Sequence, residues 1–282
     1  MRIGAHVPTH GGLASAVTAA REIGADTIQI FMGNPRAWAG PNPGRKEIIA
    51  FAEAWAGSGL GPLWVHAPYL VNVASPNAGF LERSVELARR SVAAASSIGA
   101  AGLVIHAGAG GPGAPRASLE RAAASLRAIA PEGDCAVLVE LMAGTAGAVA
   151  STLAEAARLF AAVDDRRLGL CLDTCHLFAV GYGLDEPQGV AACFEELGRV
   201  GLAQRLVLVH ANDAAFERGS RRDRHEHIGE GHIGPEGFFE ILRRPEVRDV
   251  SLVVETRGGA EEHARDVAVL RRLAADQSPQ TS

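Results

Sequence analysis

The stretch Leu206-Val-Leu-Val-His210 shows the pattern that decides the fold, because a short apolar run ends in a single polar side chain. Similar runs recur along the chain, separated by longer amphipathic or alanine-rich segments such as Phe80–Ile98 and Thr152–Val163. Continuous apolar strands that alternate with helices are typical of a parallel sheet covered on both faces. The predicted strands are Ile3–Val7, Thr27–Met32, Leu63–Ala67, Leu103–Ala107, Ala136–Leu141, Leu168–Asp173, Leu206–His210 and Leu252–Thr256.

The number of these units predicts the architecture. Eight strand–helix units within 282 residues favour an α/β fold that forms a single (β/α)8 TIM barrel. An open, doubly wound sheet is the alternative. The barrel is expected to cover residues 1–274 as one domain, and the polar tail 275–282 is expected to be disordered.

The composition excludes several classes of function. With 27 basic and 32 acidic residues the net charge is −5, which argues against a protein that coats nucleic acid through a broad basic face. Lys46 is the only lysine and lies outside any Gly-Lys-Ser/Thr sequence, so a Walker A phosphate loop is excluded. A Schiff-base mechanism would have to use Lys46 itself.

Targeting and redox features predict a cytoplasmic location. The sequence offers no apolar stretch suited to a secretory signal or to a membrane span. The four cysteines form no CxxC pair, which indicates reduced, buried thiols. We therefore expect a cytoplasmic protein without membrane contact.

Polar side chains end six successive predicted strands, from the third to the eighth. In a closed parallel barrel the carboxyl ends of the strands converge on one face, where such barrels place their active sites. One His or Glu after an apolar strand is more often structural than functional, but six in succession indicate a shared site. The six residues are His66, His106, Glu140, Asp173, His210 and Glu255.

This convergence of imidazoles and carboxylates implies bound cations. Without a cation, the charges would repel one another and would be costly to bury. Histidine with aspartate or glutamate is the ligand set of zinc or manganese, and the donors exceed what one four-coordinate ion uses, so at least two ions are implied. His176 and the pair Asp223 and His225 could supply a third ion. A solvated charge run is the alternative for Asp223-Arg-His225.

One motif is rejected as a nucleotide site. Gly229-Glu-Gly-His-Ile-Gly234 matches the dinucleotide fingerprint GxGxxG. It follows a charged loop, not a strand, so the strand–turn–helix context of that fingerprint is missing. We interpret it as a tight turn that enters a helix at Pro235.

Five sequence motifs, taken together and in their order along the chain, are specific enough to indicate a protein family. They are Gly4-Ala-His-Val with Gly11-Gly-Leu, His66-Ala-Pro-Tyr-Leu, Asp173-Thr-Cys-His176, His210-Ala-Asn-Asp213, and Asp223-Arg-His225-Glu-His-Ile-Gly-Glu-Gly. A chain with these motifs in this order resembles the endonuclease IV family of apurinic/apyrimidinic (AP) endonucleases over essentially its whole length.

The resemblance implies a trinuclear metal site, with three Zn²⁺ per chain and Mn²⁺ as an alternative at one position. The ligand sets that it implies are His66, His106 and Glu140 for one ion; Glu140, Asp173, His210 and Glu255 for the second; and His176, Asp223 and His225 for the third. Three divalent ions would add six positive charges, which offsets the negative net charge at the place where a phosphate must lie.

The implied reaction is hydrolysis of the phosphodiester 5′ to an abasic site in double-stranded DNA. It leaves a 3′-hydroxyl and a 5′-deoxyribose phosphate, and trimming of blocked 3′ ends is expected as well. The resemblance makes Glu140 and Glu255 catalytic, because they hold the metals and orient the nucleophile. Asn34, Arg36 and Tyr69 match positions that family members push into DNA, where they would hold a kinked duplex with the lesion flipped out. A monomer is expected.

Two other functions stay open. After Glu140 the family typically carries Asn-Thr-Ala-Gly, whereas this chain has Leu141-Met-Ala-Gly144, which places apolar groups near the metals. A lesion-binding protein with weakened turnover is therefore one alternative. A metal-dependent sugar isomerase or epimerase on a similar barrel is the other, since a subset of the strand-end ligands would serve a single ion.

Overall fold

Eight parallel strands close into a barrel in the computed structural model, which describes residues 1–111 and 113–276. The barrel strands are β1 (Arg2–His6), β2 (Thr27–Ile30), β3 (Leu63–His66), β4 (Gly102–His106), β5 (Ala136–Glu140), β6 (Leu168–Asp173), β7 (Leu206–His210) and β10 (Ser251–Val254); β8 (Asp213–Ala214) and β9 (His225–Glu226) form a separate antiparallel pair. β1 pairs with β2 on one side and with β10 on the other. This closure confirms the predicted TIM barrel and excludes the open sheet.

Helices connect successive strands and cover the barrel on the outside. They are α1 (Ser15–Glu22), α2 (Arg45–Ala56), α3 (Ala78–Ser97), α4 (Pro115–Ile129), α5 (Leu153–Val163), α6 (Thr174–Val180), α7 (Pro187–Arg199), α8 (Gly234–Leu242) and α9 (Ala260–Ala275). Their starts follow the local sequence: at α5, Thr152 accepts a hydrogen bond from the N–H of Glu155, whose side chain bonds back to Thr152. The helix predicted to begin at Pro235 is present as α8.

Alternate strand residues fill the barrel interior and end in a polar layer at its mouth. Residues i and i+2 of a strand face the same side, so an interior residue is followed two positions later by another. The apolar layer consists of Trp64, Val104, Leu138, Cys171, Leu208 and Val253. The residues two positions further along are His66, His106, Glu140, Asp173, His210 and Glu255. Six of the nine predicted ligands therefore lie directly above a layer of apolar side chains in the barrel interior.

The ends of the chain and its cysteines add three findings. All four cysteines are buried and free, as predicted. Within the described residues, no helix is both long and apolar enough to cross a membrane. The expected tail 275–282 begins inside α9, which continues through Ala275, and residues 277–282 lie outside the described residues.

Candidate metal centre

Neighbouring strands bring the predicted ligands into three groups at the mouth of the barrel. His106 lies beside Glu140 in the pairing of β4 with β5, and Asp173 lies beside His210 in the pairing of β6 with β7. Within each group all ligand atoms lie within 4.8 Å of one another. The first group is His66, His106 and Glu140; the second is Glu140, Asp173, His210 and Glu255; and the third is His176, Asp223 and His225.

Glu140 joins the first group to the second, because its two oxygens face different partners. Its Oε2 lies 3.1 Å from His66 Nε2 and 3.4 Å from His106 Nε2. Its Oε1 lies 3.2 Å from His210 Nδ1, which Glu255 Oε2 approaches to 3.1 Å. A buried carboxylate in this position is placed to bridge two cations.

The third group depends on the connection between β7 and α8, which the sequence presents as one long polar segment. The pairing of β8 with β9 gives this segment a fixed path and places His225 opposite Ala214. Asp223 Oδ2 lies 3.2 Å from His176 Nε2, and Asp223 Oδ1 lies 3.3 Å from His225 Nε2. Asp223 is 51% exposed, yet it faces two imidazoles, so this charged segment is more than a solvated surface.

Cys175 supports the same segment. Its Sγ lies within 4.8 Å of the ligand atoms of Asp173 and His225. The thiol donates a hydrogen bond of 3.6 Å to the carbonyl of Arg224, the residue between Asp223 and His225. Burial raises the pKa of the Cys175 thiol, so the thiol keeps its proton and holds the loop.

Hydrogen bonds on the far side of the rings orient three of the ligand histidines. His66, His176 and His225 place Nδ1 on backbone carbonyls, at 2.7 Å to Ala67, 2.8 Å to Leu141 and 3.2 Å to Glu255 respectively. An Nδ1–H that donates to a carbonyl leaves Nε2 as a lone-pair ligand. Nε2 of His176 and of His225 is buried and lacks a hydrogen-bond partner among the described residues. Such unpartnered ring nitrogens fit bound metal ions.

The electrostatics of the cluster also favour cations. Burial by itself lowers the pKa of His225, but Asp173 and Asp223 raise it to about 9. Against the same effect of burial, these two carboxylates hold the pKa of His176 well above its ordinary value. Burial would raise the pKa of Glu140, yet the surrounding histidines hold it well below its ordinary value. Metal binding would replace the protons that the carboxylates retain on the histidines.

Three residues of the site were missed by reasoning on strand ends alone. His6 ends β1, and its Nδ1 lies 3.2 Å from Glu255 Oε1. Gln29 of β2 donates from Nε2 to the same oxygen at 2.6 Å. Asn212 donates from Nδ2 to Asp173 Oδ2 at 2.7 Å and accepts from the N–H of Glu255 at 2.7 Å. The alternation of side chains along a strand would have identified His6 and Gln29, because they lie two residues after Gly4 and Thr27 and therefore face the same side.

Asp213 is an anchor for the loop that carries the third group. Its buried carboxylate accepts hydrogen bonds from five backbone N–H groups, those of Ala214, Gly229, Gly231, Ile233 and Gly234. Four of the six N–H groups of the GxGxxG segment are thus occupied by a carboxylate of the protein itself, in agreement with its rejection as a nucleotide site.

We predict that Asp213→Asn destabilises the protein strongly. The amide would turn NH₂ hydrogens toward backbone donors and leave buried N–H groups unpaired, at a cost of about 3 kcal/mol. Thermal unfolding should show a Tm lowered by roughly 6–12 °C. The exposed Asp249→Asn is the control and should leave Tm unchanged; equal melting of the two variants would contradict the anchor.

The three residues predicted to contact DNA lie near one another at the rim. Asn34 and Arg36 are exposed in the loop after β2, where Asn34 Oδ1 accepts a hydrogen bond of 2.9 Å from the N–H of Arg36. Tyr69 is 54% exposed, and its ring meets that of Phe31 edge-on at 5.1 Å. Arg36 has no ion pair within residues 1–111 and 113–276. The loops after β2 and β3 therefore present a free cation, Arg36, and an aromatic ring, Tyr69, at the rim.

The departure after Glu140 leaves the backbone of the site intact. Leu141 is fully buried, and its carbonyl accepts the hydrogen bond from His176 Nδ1. Met142 is partly buried against the core. An apolar side chain at position 141 is thus compatible with the orientation of a ligand histidine, because the carbonyl makes that contact.

Comparisons with known proteins agree on the family. A family model described as a xylose isomerase-like TIM barrel matches residues 17–273. The protein named "Probable endonuclease 4" from Streptomyces coelicolor is 41% identical over 278 residues, which cover 96% of this chain and 94% of that protein. The crystal structure of endonuclease IV from Thermus thermophilus superposes with a TM-score of 0.87 at 33% identity, over 98% of this chain and 100% of that one.

An epimerase-like protein shares the architecture alone. The structure of a D-tagatose 3-epimerase-like protein has a TM-score of 0.76 but only 20% sequence identity, although the alignment covers all of both chains. This level of identity shows a common barrel and no more. By the extent and identity of the match to the endonuclease 4 proteins, the chain belongs to the endonuclease IV family.

Proposed function

We propose that this protein is a metal-dependent DNA-repair endonuclease that hydrolyses the phosphodiester 5′ to an abasic site in double-stranded DNA. The products would be a 3′-hydroxyl and a 5′-deoxyribose phosphate, and blocked 3′ ends would be trimmed by the same site. The observation that carries the proposal is the set of three adjacent ligand groups joined through Glu140. Relatives named endonuclease 4 support the class of substrate and a DNA-cleaving hydrolase.

Nine side chains would hold three Zn²⁺ ions, in the three groups defined above, with Mn²⁺ as an alternative at one of them. Bound divalent ions supply Lewis-acid charge at a phosphodiester and a nucleophile at neutral pH. Glu140 and Glu255 would both bind the ion of the second group, because each places one oxygen beside His210 Nδ1. Glu255 would also orient the attacking group, since its backbone and side chain are both fixed by hydrogen bonds.

The shape of the cleft supports attack on DNA with a missing base. Seven of the nine predicted ligands, all but Asp173 and His210, line a cleft of about 390 Å³ together with Phe31 and Tyr69. A strand that bends into this cleft would bring a phosphate to the groups, and a residue without a base is extruded from a duplex at least cost. Tyr69, which is exposed at the rim, would fill the space that the extruded residue leaves.

Arginines around the cleft support a polyanionic partner. Arg221, Arg222 and Arg224 flank Asp223, are exposed, and make no ion pair within the part of the chain that the structure describes. Arg222 stacks over the ring of Phe216 at 3.5 Å, which holds its guanidinium at the surface. Positive charge is thus concentrated beside the cleft in a chain whose net charge is −5.

The function is tested with a labelled duplex that contains one abasic site, in zinc-replete buffer. Cleavage should yield a primer that a DNA polymerase extends directly, because the product carries a 3′-hydroxyl. The same duplex with a normal base is the matched control. Binding without cleavage would support the weakened lesion-binding protein, and a single tightly bound ion per chain would support the sugar isomerase or epimerase.

We predict that Arg36→Ala weakens binding to the abasic duplex by about tenfold and lowers the salt dependence by about one released counterion. Arg36 is an exposed, unpaired cation beside the cleft, so its loss should act through a phosphate contact. Titration of a fluorescent duplex at several salt concentrations measures both quantities. Arg248→Ala, an exposed arginine just before β10 at the opposite end of the barrel, is the control; unchanged affinity for Arg36→Ala would refute the contact.

A monomeric, cytoplasmic enzyme with residues 1–274 as one catalytic domain completes the proposal. All nine ligands come from one chain, so no partner subunit is needed to assemble the three groups. Light scattering of the zinc-loaded protein, with and without duplex, tests the monomer.

A further inference from the structure

Gln29 connects two ligands of the second group through a single amide. It lies in β2, fully buried, two residues after Thr27 on the interior face of the barrel. Its Oε1 lies 3.0 Å from Nε2 of His210, and its Nε2 lies 2.6 Å from Oε1 of Glu255. The second hydrogen of the amide faces Nδ1 of His6 at 3.0 Å.

The orientation of this amide is determined by its neighbours. A flipped amide would place the carbonyl oxygen against the carboxylate of Glu255, and two acceptors at 2.6 Å repel each other. The NH₂ group therefore faces Glu255 and the carbonyl faces His210. Because a carbonyl only accepts, Nε2 of His210 must carry the proton.

This arrangement decides which nitrogen of His210 is a lone pair. With the proton on Nε2, the neutral ring has a bare Nδ1, which lies 3.2 Å from Glu140 and 3.1 Å from Glu255 and has no hydrogen-bond partner among the described residues. Without an acceptor at position 29, the ring could protonate Nδ1 and donate to either carboxylate. That tautomer would give Nδ1 of His210 a hydrogen-bond partner, but Nδ1 would then have no lone pair for a metal ion.

We propose that Gln29 is a positioning residue that holds His210 in the metal-binding tautomer and Glu255 in a ligating orientation. Gln29 is fully buried and is not among the residues that line the cleft. The proposal deepens the proposed function and rests on it for the role of the second group. It assigns to β2 a part in the site, although that strand supplies none of the nine ligands.

The test is retention of Zn²⁺ by Gln29→Met, measured as ions per chain after equilibration with increasing concentrations of a chelator. Methionine has the same length and no hydrogen-bonding amide. One ion per chain should be released at a chelator concentration about 10–100-fold lower than in the wild type, with the others unchanged. Thr27→Val is the matched control, because it removes the hydrogen bond from Thr27 Oγ1 to the carbonyl of Pro62 in the same strand without touching a ligand.

Release curves of Gln29→Met that coincide with those of the wild type would overturn the proposal, as would equal loss of zinc in Thr27→Val. Circular dichroism melting shows whether each variant is folded. Should Gln29→Met fail to fold, long-range ¹H–¹⁵N correlation spectra of the zinc-loaded wild type decide, because they report which ring nitrogen of His210 carries the proton. A proton on Nδ1 there would refute the role of Gln29. These measurements use Zn²⁺ alone, so a wild type that retains its ions without cleaving DNA would contradict the proposed function and not this proposal.

Discussion

Removal of the metal ions is expected to abolish cleavage of an abasic duplex, by about a thousandfold or more. The reason lies in the composition of the site: apart from metal ligands, the cleft offers His6, Phe31, Tyr69 and Thr256. None of these side chains combines a strong nucleophile with the charge that a phosphodiester requires. Dialysis against a strong chelator, followed by the cleavage assay and by metal analysis, should show loss of about three ions per chain together with loss of activity.

Readdition of Zn²⁺ should restore both quantities, which separates metal loss from damage to the protein. Chelator saturated beforehand with Zn²⁺ is the matched control and should leave activity unchanged. The barrel itself should stay folded, because its apolar core continues beneath the ligands. Full cleavage by a chain shown to be free of metal would refute the proposed mechanism, and about one ion per chain before dialysis would refute the three-ion site.

Glu255→Gln is expected to lower the rate of cleavage by about a thousandfold while the affinity for the abasic duplex stays within about twofold. The substitution keeps the shape of the side chain but removes a negative charge that lies 3.1 Å from His210 Nδ1. The new amide would also meet the NH₂ group of Gln29, which now donates to Glu255 Oε1. Its carbonyl oxygen would therefore keep the Oε1 position, and its NH₂ group would take the Oε2 position beside His210 Nδ1, where it offers no lone pair to a cation.

Single-turnover cleavage and duplex binding, measured on zinc-loaded protein, separate the two effects. Glu195→Gln on the outer surface of α7 removes the same charge far from the cleft and is the matched control. If Glu255→Gln cleaved at the wild-type rate, Glu255 would have no part in the mechanism. A parallel loss of binding would instead assign Glu255 to DNA contact.

The strand ends show how far local sequence reaches. An apolar run such as Leu206–Val209, followed by one polar residue, predicts a buried parallel strand with a polar side chain at its carboxyl end. The eightfold repetition of this pattern predicts the barrel, and the resemblance to the family predicts the nine ligand positions. The structure places all nine in three groups. The search for polar residues at strand ends did not identify His6 and Gln29, because neither residue ends a predicted strand. The predicted first strand runs on to Val7, and Gln29 lies inside the second.

The loop between β7 and α8 shows what local sequence does not contain. Taken alone, Asp223-Arg-His225 favours a solvated charge run, because its neighbours in sequence are highly charged as well. The β8–β9 pair, Cys175 and the carboxylate of Asp213 fix the path of the chain, which brings Asp223 and His225 close to His176. No short motif encodes contacts between residues as far apart in sequence as Cys175 and Arg224.

The sequence by itself determined the barrel and the family and predicted nine ligand positions, because these depend on periodicity and on ordered motifs. Only the tertiary structure decided which ring nitrogen His66, His176 and His225 offer, that Glu140 faces two groups at once, and that Gln29 connects His210 to Glu255. The physical reason is that tautomers and carboxylate orientations are set by hydrogen bonds across the barrel, between residues as far apart as positions 29 and 255. Such bonds exist only once the strands have closed.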